Sequence, residues 1–350
     1  MLIGSLSCVS PVEFKRYKKY LQEIETVIWS PDGSMLIFKY INYRDKQGDG
    51  SFAENKYSAY SFDLISKKIN KINNFGLGCC LYENETLHFA YVKQENNGSH
   101  YFIYESDLNG IEKKIATPIN FNFTLGLVEK EFVINYETIS NKKNLIKLNR
   151  KDQSITTITL DKTAQDFLIK ENIQEYEIKH LYKKNKQIRV VIEGKNKLKE
   201  ADIDAPSLVT YASGLIENNQ ITQIEKIDQI NADKEEIHFF GLQSENQLVY
   251  AKNPRNQPPL TYYEYNFSTH GRSIRSEMNK INQLINDGRY IVPLAFSPNF
   301  KEMVYIVAIN TDQERNPIRD FIHFNLSTGE KKSLFNIYET LPKGDFKYGL

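Results

Sequence analysis

The 350-residue sequence is longer than a typical domain, although a single all-β domain can reach this length. Apolar residues make up 40%, charged residues 25% and aromatic residues 12%, a composition that suits half-buried sheet surfaces. Because 45 Lys and Arg residues balance 44 Asp and Glu residues, the net charge of +1 gives no bulk attraction to nucleic acid or to an anionic membrane. We therefore expect no nucleic-acid partner.

The start of the chain and its cysteines bear on the compartment. MLIGSLSC is too short for a complete signal peptide and has no basic segment. If it is the tail of a longer export or lipoprotein signal, the protein is periplasmic or secreted; the favoured alternative is a first strand in a cytoplasmic protein. No apolar run approaches the roughly 20 residues of a membrane span. The sequence predicts that its three cysteines are small core residues and do not form a disulfide framework; they are Cys8, Cys79 and Cys80.

The first predicted elements are a helix or cap and a strand hairpin. Helical spacing of apolar residues over Pro11–Ile24 predicts the helix, and Ile274–Asn286 shows similar spacing. Trp29–Tyr40 then reads WSPDGSMLIFKY, and Phe296–Val307 reads FSPNFKEMVYIV. Proline fixes the first turn dihedral and Asp-Gly accepts a tight reversal, so both segments predict a strand, a hairpin turn and a second strand.

Alternating apolar and polar residues dominate the rest of the chain and predict a mostly β protein. IRVVIEG at Ile188–Gly194 predicts a strand with charged flanks. We expect this strand to lie at a solvated sheet edge and not to form a phosphate-binding strip. The clearest alternating segments are Met35–Tyr43, Leu87–Val92, Glu131–Tyr136 and Phe321–Leu326.

A strand followed by a polar turn and a polar strand recurs along the sequence. Asp, Asn or Gly begins each turn, as these residues tolerate the required backbone conformations. The turn residues are Asp63, Asp107, Asn149, Gly214, Asn266 and Asn325. Intervals of about 40 to 65 residues correspond to four-stranded propeller blades with variable loops. Six blades are predicted, ending near residues 72, 116, 160, 226, 276 and 335, and the longest interval leaves room for a seventh between Asp161 and Ala201.

Together, WSPDGSMLIF and FSPNFKEMVYI, with the later FDLISKKI and FNLSTGEKKSL, resemble the repeats of TolB-type and WD40-like six-bladed β-propellers. Similar repeats form the propeller of the prolyl oligopeptidase family. The resemblance implies a single β-propeller domain over residues 1–350 and transfers no active site, since the motif is a fold signature. Ring closure is expected to use a strand from Met1–Val9 or Asn336–Leu350, because an open ring exposes two sheet edges.

Catalytic and metal-binding patterns are mostly missing from the sequence. There is no G-x-S-x-G elbow and no zinc spacing among the six histidines. DKQGDGSFAENK at Asp45–Lys56 partly fits a calcium loop, but Lys56 stands where a bidentate Glu is needed. The sequence therefore favours a protein that is not an enzyme, with no metal and no cofactor.

The longest inserts are predicted to join the second and third strands of their blades, on one face of the disc. Such loops usually mark the binding face of a repeat protein, and Arg holds carboxylates in two-point geometry. We therefore predict a monomeric scaffold that binds a protein or peptide there and at the channel mouth. The candidate binding residues are Arg44, Asp49, Arg255, Asp312, Arg315 and Arg319. The alternatives are a channel-centred hydrolase acting on sugars or lactones, and the detached regulatory propeller of a peptidase.

Overall fold

The structure, a computed structural model, is all-β apart from a few short helices. It describes residues 20–30, 32–45, 52–73, 79–83, 86–95, 100–107, 111–114, 123–128, 131–137, 143–149, 151–185, 187–196, 207–255, 260–285, 290–309 and 318–341. The described strands form antiparallel four-stranded meanders, a propeller-like arrangement. They fall into two compact units: the first comprises residues 1–77, 106–111 and 280–350, and the second comprises residues 78–105 and 112–279.

The first sheet corrects the predicted N-terminal helix. Its strands, in spatial order, are β1 (Tyr20–Trp29), β2 (Met35–Asp45), β3 (Phe52–Asp63) and β4 (Ile69–Asn73). Tyr20–Ile24 therefore opens a strand, while residues 11–19 lie outside the described residues. The β1–β2 register shifts between Ile24 and Thr26, so the buried side chains of Ile24 and Val27 are three positions apart. Tyr20–Ile24 itself pairs without interruption with Tyr40–Arg44, so sheet pairing overrides the apolar spacing that predicted a helix.

The last sheet lies in the same unit. Helix α2 (Lys280–Ile285) precedes it, in agreement with the helical spacing of that segment. Its strands are β21 (Tyr290–Phe296), β22 (Glu302–Ile309), β23 (Ile318–Asn325) and β24 (Lys331–Asn336). A helix, α3 (Ile337–Thr340), follows β24 where a closing strand was expected. Residues 1–9 and 342–350 lie outside the described residues.

Aromatic side chains pack these two sheets together, in an interface that we call the terminal seam. Phe38 from β2 lies 5.9 Å from Phe321 and 5.7 Å from Phe335, measured between ring centroids. Ile337 and Leu341 join the same core from α3 and the residue after it. The hydrophobic core of this seam also contains Trp29 and two tyrosines, and the His323 ring lies 6.0 Å from that of Trp29.

The second unit begins with two meanders. Its first sheet contains β5 (Cys79–Glu83), β6 (Thr86–Glu95), β7 (His100–Asp107) and β8 (Glu112–Lys114), with Ser106 and Asp107 grouped in the first unit. The next meander contains β9 (Phe123–Val128), β10 (Glu131–Glu137), β11 (Lys143–Asn149) and β12 (Ile155–Leu160). Helix α1 (Lys162–Lys170) follows and begins at Asp161, whose carboxylate accepts the N–H of Ala164 at 2.7 Å.

The meander after α1 explains the longest repeat interval. Its strands are β13 (Ile173–Lys184), β14 (Gln187–Asn196), β15 (Leu208–Glu217) and β16 (Gln220–Asn231). The described chain from Asp161 to Asn196 thus consists of α1 and two strands of this meander, and holds no additional four-stranded blade. Two parallel pairs, Thr159 with Gln220 and Leu160 with Ile221, join β12 to β16 and make an eight-stranded sheet.

Strand β14 corrects the predicted solvated edge. It pairs with both β13 and β15, and Ile188 to Ile192 are buried without interruption. Alternate side chains face two different neighbours, because Ile188 and Val190 share a core with residues of β11 and β12 while Val191 shares a core with Leu248 and Tyr250. Burial on both faces explains why the segment is apolar apart from Arg189 and does not alternate.

The remaining sheet packs against β13–β16. Its strands are β17 (Glu235–Ser244), β18 (Gln247–Pro254), β19 (Thr261–Asn266) and β20 (Gly271–Ile274), followed by a 3-10 helix over Ser276–Asn279. We call the interface between β13–β16 and β17–β20 the central seam. Its apolar core includes Val191, Ile227, Leu248 and Tyr250.

The recurring polar turn has one geometry in four copies. An Asp or Asn at the end of a third strand accepts hydrogen bonds from the backbone N–H groups two and three residues later; these residues are Asp63, Asn149, Asn266 and Asn325. Four positions later the backbone is left-handed, with φ between 51° and 79° at Lys67, Gln153, His270 and Gly329. The predicted turn residues are therefore structural in these copies.

Gly214 is the exception, because it lies inside β15 and begins no turn. The turn between β15 and β16 is made by Asn218 and Asn219, whose φ angles are 48° and 62°. Two consecutive left-handed residues are typical of a two-residue hairpin. A Cβ on Gly214 would lie 2.6 Å from Cγ2 of Ile221, so this glycine permits a close approach within the sheet.

The turn in WSPDGSMLIF is held by one serine. Ser30 donates its N–H to the carbonyl of Met35 at 2.9 Å, and its hydroxyl accepts the N–H of Met35 at 2.9 Å. Asp32 accepts the N–H of Ser34 at 3.1 Å, and Gly33 takes the left-handed position with a φ of 76°. The segment is a structural hairpin turn.

The turn in FSPNFKEMVYI repeats this arrangement in different residues. Ser297 donates to the carbonyl of Glu302 at 2.9 Å and accepts its N–H at 3.0 Å. Asn299 accepts the N–H of Lys301 at 2.9 Å, and Phe300 occupies the left-handed position with a φ of 55°. The two segments are therefore the same structural unit in the first and last sheets.

Candidate functional site

The predicted binding residues lie in or beside the connections between second and third strands. Arg44 lies near the end of β2 and Arg319 near the start of β23, but the side chains of both are outside the described residues. Asp49, Asp312 and Arg315 lie wholly outside them. The five predicted inserts connect β2 to β3, β6 to β7, β14 to β15, β18 to β19 and β22 to β23.

Arg255 is the predicted binding residue whose side chain the structure describes. It follows β18 and its side chain is 55% exposed. Its Nη1 donates to the carbonyl of Ala232 at 3.1 Å, and its Nε lies 3.7 Å from a carboxylate oxygen of Glu236. Arg255 therefore supports the β16–β17 connection and still presents part of its guanidinium to solvent.

The central seam contains a cluster of polar side chains that the sequence did not reveal. Asp228 on β16 has a side chain only 7% exposed and is the shared acceptor. Nη1 of Arg272 donates to it at 2.8 Å, the hydroxyl of Tyr250 at 3.0 Å and Nζ of Lys252 at 3.4 Å. Lys252 also lies 3.6 Å from Glu235. One buried carboxylate thus ties β16 to β18 and β20, and Lys252 extends the cluster to Glu235 of β17.

The cluster changes the acidity of its members. Burial and the charge of Asp228 raise the pKa of the Tyr250 hydroxyl, so it remains a hydrogen-bond donor. Burial alone would lower the pKa of the Arg272 guanidinium, but hydrogen bonds to Tyr250 and Asp228 and their charges outweigh it, and the pKa rises. The guanidinium also lies 4.8 Å from the centre of the Tyr263 ring. The cluster therefore gathers donors from Tyr250, Lys252 and Arg272 around one carboxylate.

A second polar group lies nearer the turns of the same seam. Glu225 accepts the hydroxyl of Tyr265 at 2.9 Å and lies 2.6 Å from Nδ1 of His270. Arg189 is only 4% exposed; its Nε donates to the carbonyl of Glu245 at 3.1 Å. Its guanidinium lies 3.5 Å from the centre of the Phe267 ring. Burial lowers the pKa of Arg189, and nearby acidic charges oppose that change.

A third group surrounds a bulge in β13. The register shift between Ile178 and His180 marks the bulge. The imidazole of His180 stacks on the Tyr182 ring with centroids 5.6 Å apart, and lies 5.7 Å from the Phe239 ring. Burial, with a contribution from the charge of Lys179, lowers the pKa of His180 to about 4. His180 is therefore neutral at physiological pH.

Lys179 belongs to the same bulge and connects it to β14. Its Nζ lies 3.0 Å from Glu177 and 3.3 Å from Glu193. Glu193 also accepts the hydroxyl of Tyr211 at 3.0 Å, and the Tyr211 ring lies 5.3 Å from that of Phe239. Side chains from β13, β14, β15 and β17 are linked through this group.

These clusters bring ionisable groups together without a recognisable catalytic constellation. Among the residues whose side chains the structure describes, no serine, threonine or cysteine is hydrogen-bonded to a histidine that in turn contacts a carboxylate. In the described part of the chain, no three His, Cys, Asp or Glu side chains converge as metal ligands would. None of the described helices is long and apolar enough to cross a membrane.

The sequence offered only a weak signal for this seam. Asp is depleted in strands, and Asp228 stands between apolar residues in IEKIDQIN. Its partners Tyr250 and Arg272 are 22 and 44 positions away, so no local spacing connects them. Only the packing of two consecutive meanders brings these three residues together.

Comparisons with known proteins show likeness in fold. No family model and no curated protein matches the sequence. The chain is similar to a puromycin-hydrolysing peptidase of Mycobacterium tuberculosis, with a TM-score of 0.53 and 8% identity over 96% of this chain and 56% of that one. The chain thus spans about half the length of that peptidase.

Two further structures are similar at lower scores. The β-propeller domain of the trilobed protease of Pyrococcus furiosus has a TM-score of 0.46 and 11% identity, over 92% of this chain and 99% of that one. An oligogalacturonate lyase in complex with manganese has a TM-score of 0.43 and 13% identity, over 90% and 84%. The described residues themselves form an all-β chain with a propeller-like arrangement of sheets.

Proposed function

We propose that this chain is a six-bladed, TolB-type β-propeller of one domain that acts as a non-catalytic scaffold. Its partner is a protein or peptide bound through the connections between second and third strands. The observation that carries the proposal is that the described residues form sheets, the connections between their strands, and short helices. None of these residues forms a separate catalytic domain. The five longest inserts all lie in connections between a second and a third strand.

The arginines of these connections suit a partner that presents carboxylates. Arg is enriched at interface hot spots and binds carboxylates with two parallel hydrogen bonds. Arg255 shows how such a residue can be partly ordered by its own connection and still be accessible, since only part of its guanidinium is engaged. In other sheets, Arg315 falls in the corresponding connection by its position in the sequence, while Arg44 and Arg319 lie in the strands beside such connections.

A pull-down with charge-reversed variants tests this proposal. We expect the triple variant Arg255→Glu, Arg315→Glu, Arg319→Glu to lose at least tenfold in retained partner, because repulsion replaces carboxylate pairing. The control is Lys113→Glu, Lys151→Glu, Lys331→Glu, which makes the same charge change at exposed residues between or on third and fourth strands. Equal retention by wild type and by the arginine variant, with unchanged melting temperatures, would contradict the proposal.

A second candidate is the propeller part of a peptidase. The likeness to the puromycin-hydrolysing peptidase favours it, since this chain aligns over 96% of its own length with about half of that protein. In the same pull-down, a hydrolase as the retained partner would support this reading. A retained partner with no hydrolytic domain would support the general scaffold instead.

A further inference from the structure

One end of the terminal seam carries lysines from both of its sheets. We call it the turn end, because the β3–β4 and β23–β24 turns lie there. Lys67 and Lys68 belong to the β3–β4 turn, while Lys331 and Lys332 open β24. All four residues are exposed. A ligand in solution can therefore reach them.

Aromatic packing brings the two turns together. Phe62 of β3 lies 5.3 Å from Phe335 of β24, measured between ring centroids. The ammonium group of Lys67 lies 5.7 Å from the centre of the Phe62 ring and also donates to the carbonyl of Leu64. These contacts hold the Lys67 side chain against the end of the seam.

Lys332 lies beside Lys67 on the opposite sheet. It pairs with His323 in the register of β23 and β24, on the side of the sheet that faces Trp29. Burial lowers the pKa of the Lys67 ammonium, the charge of Lys332 lowers it further, and the charge of Asp63 opposes both. The two ammonium groups are therefore close enough to repel each other.

The acidic residues nearby are engaged with other groups. The Asp63 carboxylate accepts backbone N–H groups of its own turn, and that of Glu302 lies 3.5 Å from Nε2 of His323. Among the side chains that the structure describes, no carboxylate lies within ion-pair distance of Lys67 or Lys332. Two neighbouring cations thus occupy a place without a matched anion of the protein.

The backbone gives a separate reason to look for a ligand at Lys67. Its φ of 62° is left-handed, a conformation that costs free energy for a lysine. The equivalent residue of the β23–β24 turn is Gly329, which adopts a φ of 79° without that cost. Strained backbone positions are frequent at ligand-binding sites. The turn therefore accepts strain at the residue that places a cation beside Lys332.

We propose that the turn end of the terminal seam binds a phosphate group between Lys67 and Lys332. A phosphate ester carries nearly two negative charges at neutral pH, which matches two ammonium groups. Lysine binds phosphate as a point charge, whereas the planar fork of arginine suits a carboxylate better. The phosphate belongs to a soluble ester or to a phospholipid headgroup, since both present the same chemistry to the lysines.

This site is separate from the binding face proposed above. In an antiparallel meander, the turn between third and fourth strands and the connection between second and third strands lie at opposite ends of the strands. Lys67 and Lys332 therefore lie at the other end of their sheets from the β2–β3 and β22–β23 connections. The phosphate site does not depend on a protein or peptide partner.

Isothermal titration calorimetry with inorganic phosphate tests the site in the full chain. We expect saturable binding of phosphate, and binding of acetate at least tenfold weaker at the same ionic strength. The absence of saturable phosphate binding, or an equal affinity for acetate, would overturn the proposal. Trp29 is the only tryptophan of the sequence and is buried in this seam, so its fluorescence shows whether the seam is folded in each variant.

Charge-removing variants locate the phosphate. We expect Lys67→Gln and Lys332→Gln each to weaken phosphate binding at least fivefold, because one of two cations is lost. Glutamine is tolerated at the left-handed position, since Gln153 occupies it in the β11–β12 turn. The control is Lys151→Gln, which removes an exposed charge from that turn and should bind as wild type.

The double variant Lys67→Gln, Lys332→Gln gives the strictest result. Wild-type affinity in this variant would show that phosphate binds elsewhere and would contradict the proposal. If Trp29 fluorescence shows that Lys67→Gln unfolds the seam, Lys332→Gln decides alone.

Vesicles distinguish the two sources of the phosphate group. The protein is sedimented with phosphatidylcholine vesicles that contain or lack phosphatidic acid. Ile65 is 85% exposed and lies two residues before Lys67, so it can enter the headgroup region of a bound vesicle. Sedimentation that needs phosphatidic acid and is reduced by Ile65→Ser supports a lipid source, and saturable phosphate binding without sedimentation supports a soluble ester. Binding of neither probe overturns the proposal.

Discussion

At the residue scale, equivalent turns in the first and last sheets place a glycine and a phenylalanine at the same left-handed backbone position. Gly33 and Phe300 both take the left-handed position of a serine-held turn. Glycine is the expected residue there, while Phe300 accepts a strained backbone and gains burial: it is 5% exposed and stacks on Phe296 with centroids 5.6 Å apart. The sequence predicted both hairpin turns and placed Asn299-Phe300 where the first copy has Asp-Gly, but it could not show that Phe300 takes the left-handed conformation.

Gly33 gives a clean test of the backbone requirement. A Cβ at this position would have no heavy atom within 4 Å, so packing does not oppose a larger side chain. We expect Gly33→Ala to lower the free energy of unfolding by about 1 kcal/mol through left-handed strain alone. Gly33→Asn should lose less, because Asn tolerates this conformation. Urea denaturation measures both, and equal stability of Gly33→Ala and wild type would show that the turn does not need glycine.

At the element scale, turn chemistry was the most predictable feature. Four of the predicted turn residues end third strands with side-chain caps, because Asp and Asn act locally and their effect is visible in sequence. The helix predicted to include Tyr20–Ile24 was wrong, because this segment pairs with Tyr40–Arg44 of β2 and tertiary pairing overrides local apolar spacing. The turn predicted at Gly214 was wrong, because a close contact with Ile221 inside the sheet requires glycine just as a turn can. Periodicity and composition cannot distinguish such causes.

Helix α3 offers a test of how the terminal seam is held. Ile337 is fully buried among aromatic side chains of both sheets. We expect Ile337→Ala to lower the free energy of unfolding by about 2–4 kcal/mol, because it leaves a cavity in that core. Glu339→Ala, an exposed change in the same helix, should cost less than about 0.5 kcal/mol. A loss for Ile337→Ala no larger than that of the control would show that α3 does not hold the seam.

For the whole molecule, the sequence predicted the class of fold but not how its interior is distributed. The all-β, four-stranded organisation follows from repeated turns and alternating strands, which are local signals. The central seam could not be predicted, because Asp228, Arg272 and His180 come from separate strands of two meanders. The predicted binding residues other than Arg255 have side chains outside the described residues, so the proposed binding face remains a prediction from loop position and charge.

The most direct test of the propeller-scaffold account is a crystal structure of the full chain. We expect six four-stranded blades around one axis, with the β2–β3, β6–β7, β14–β15, β18–β19 and β22–β23 connections on a single face and Arg255, Arg315 and Arg319 accessible there. Two separately folded bodies, a different number of blades, or these connections divided between opposite faces would contradict the account.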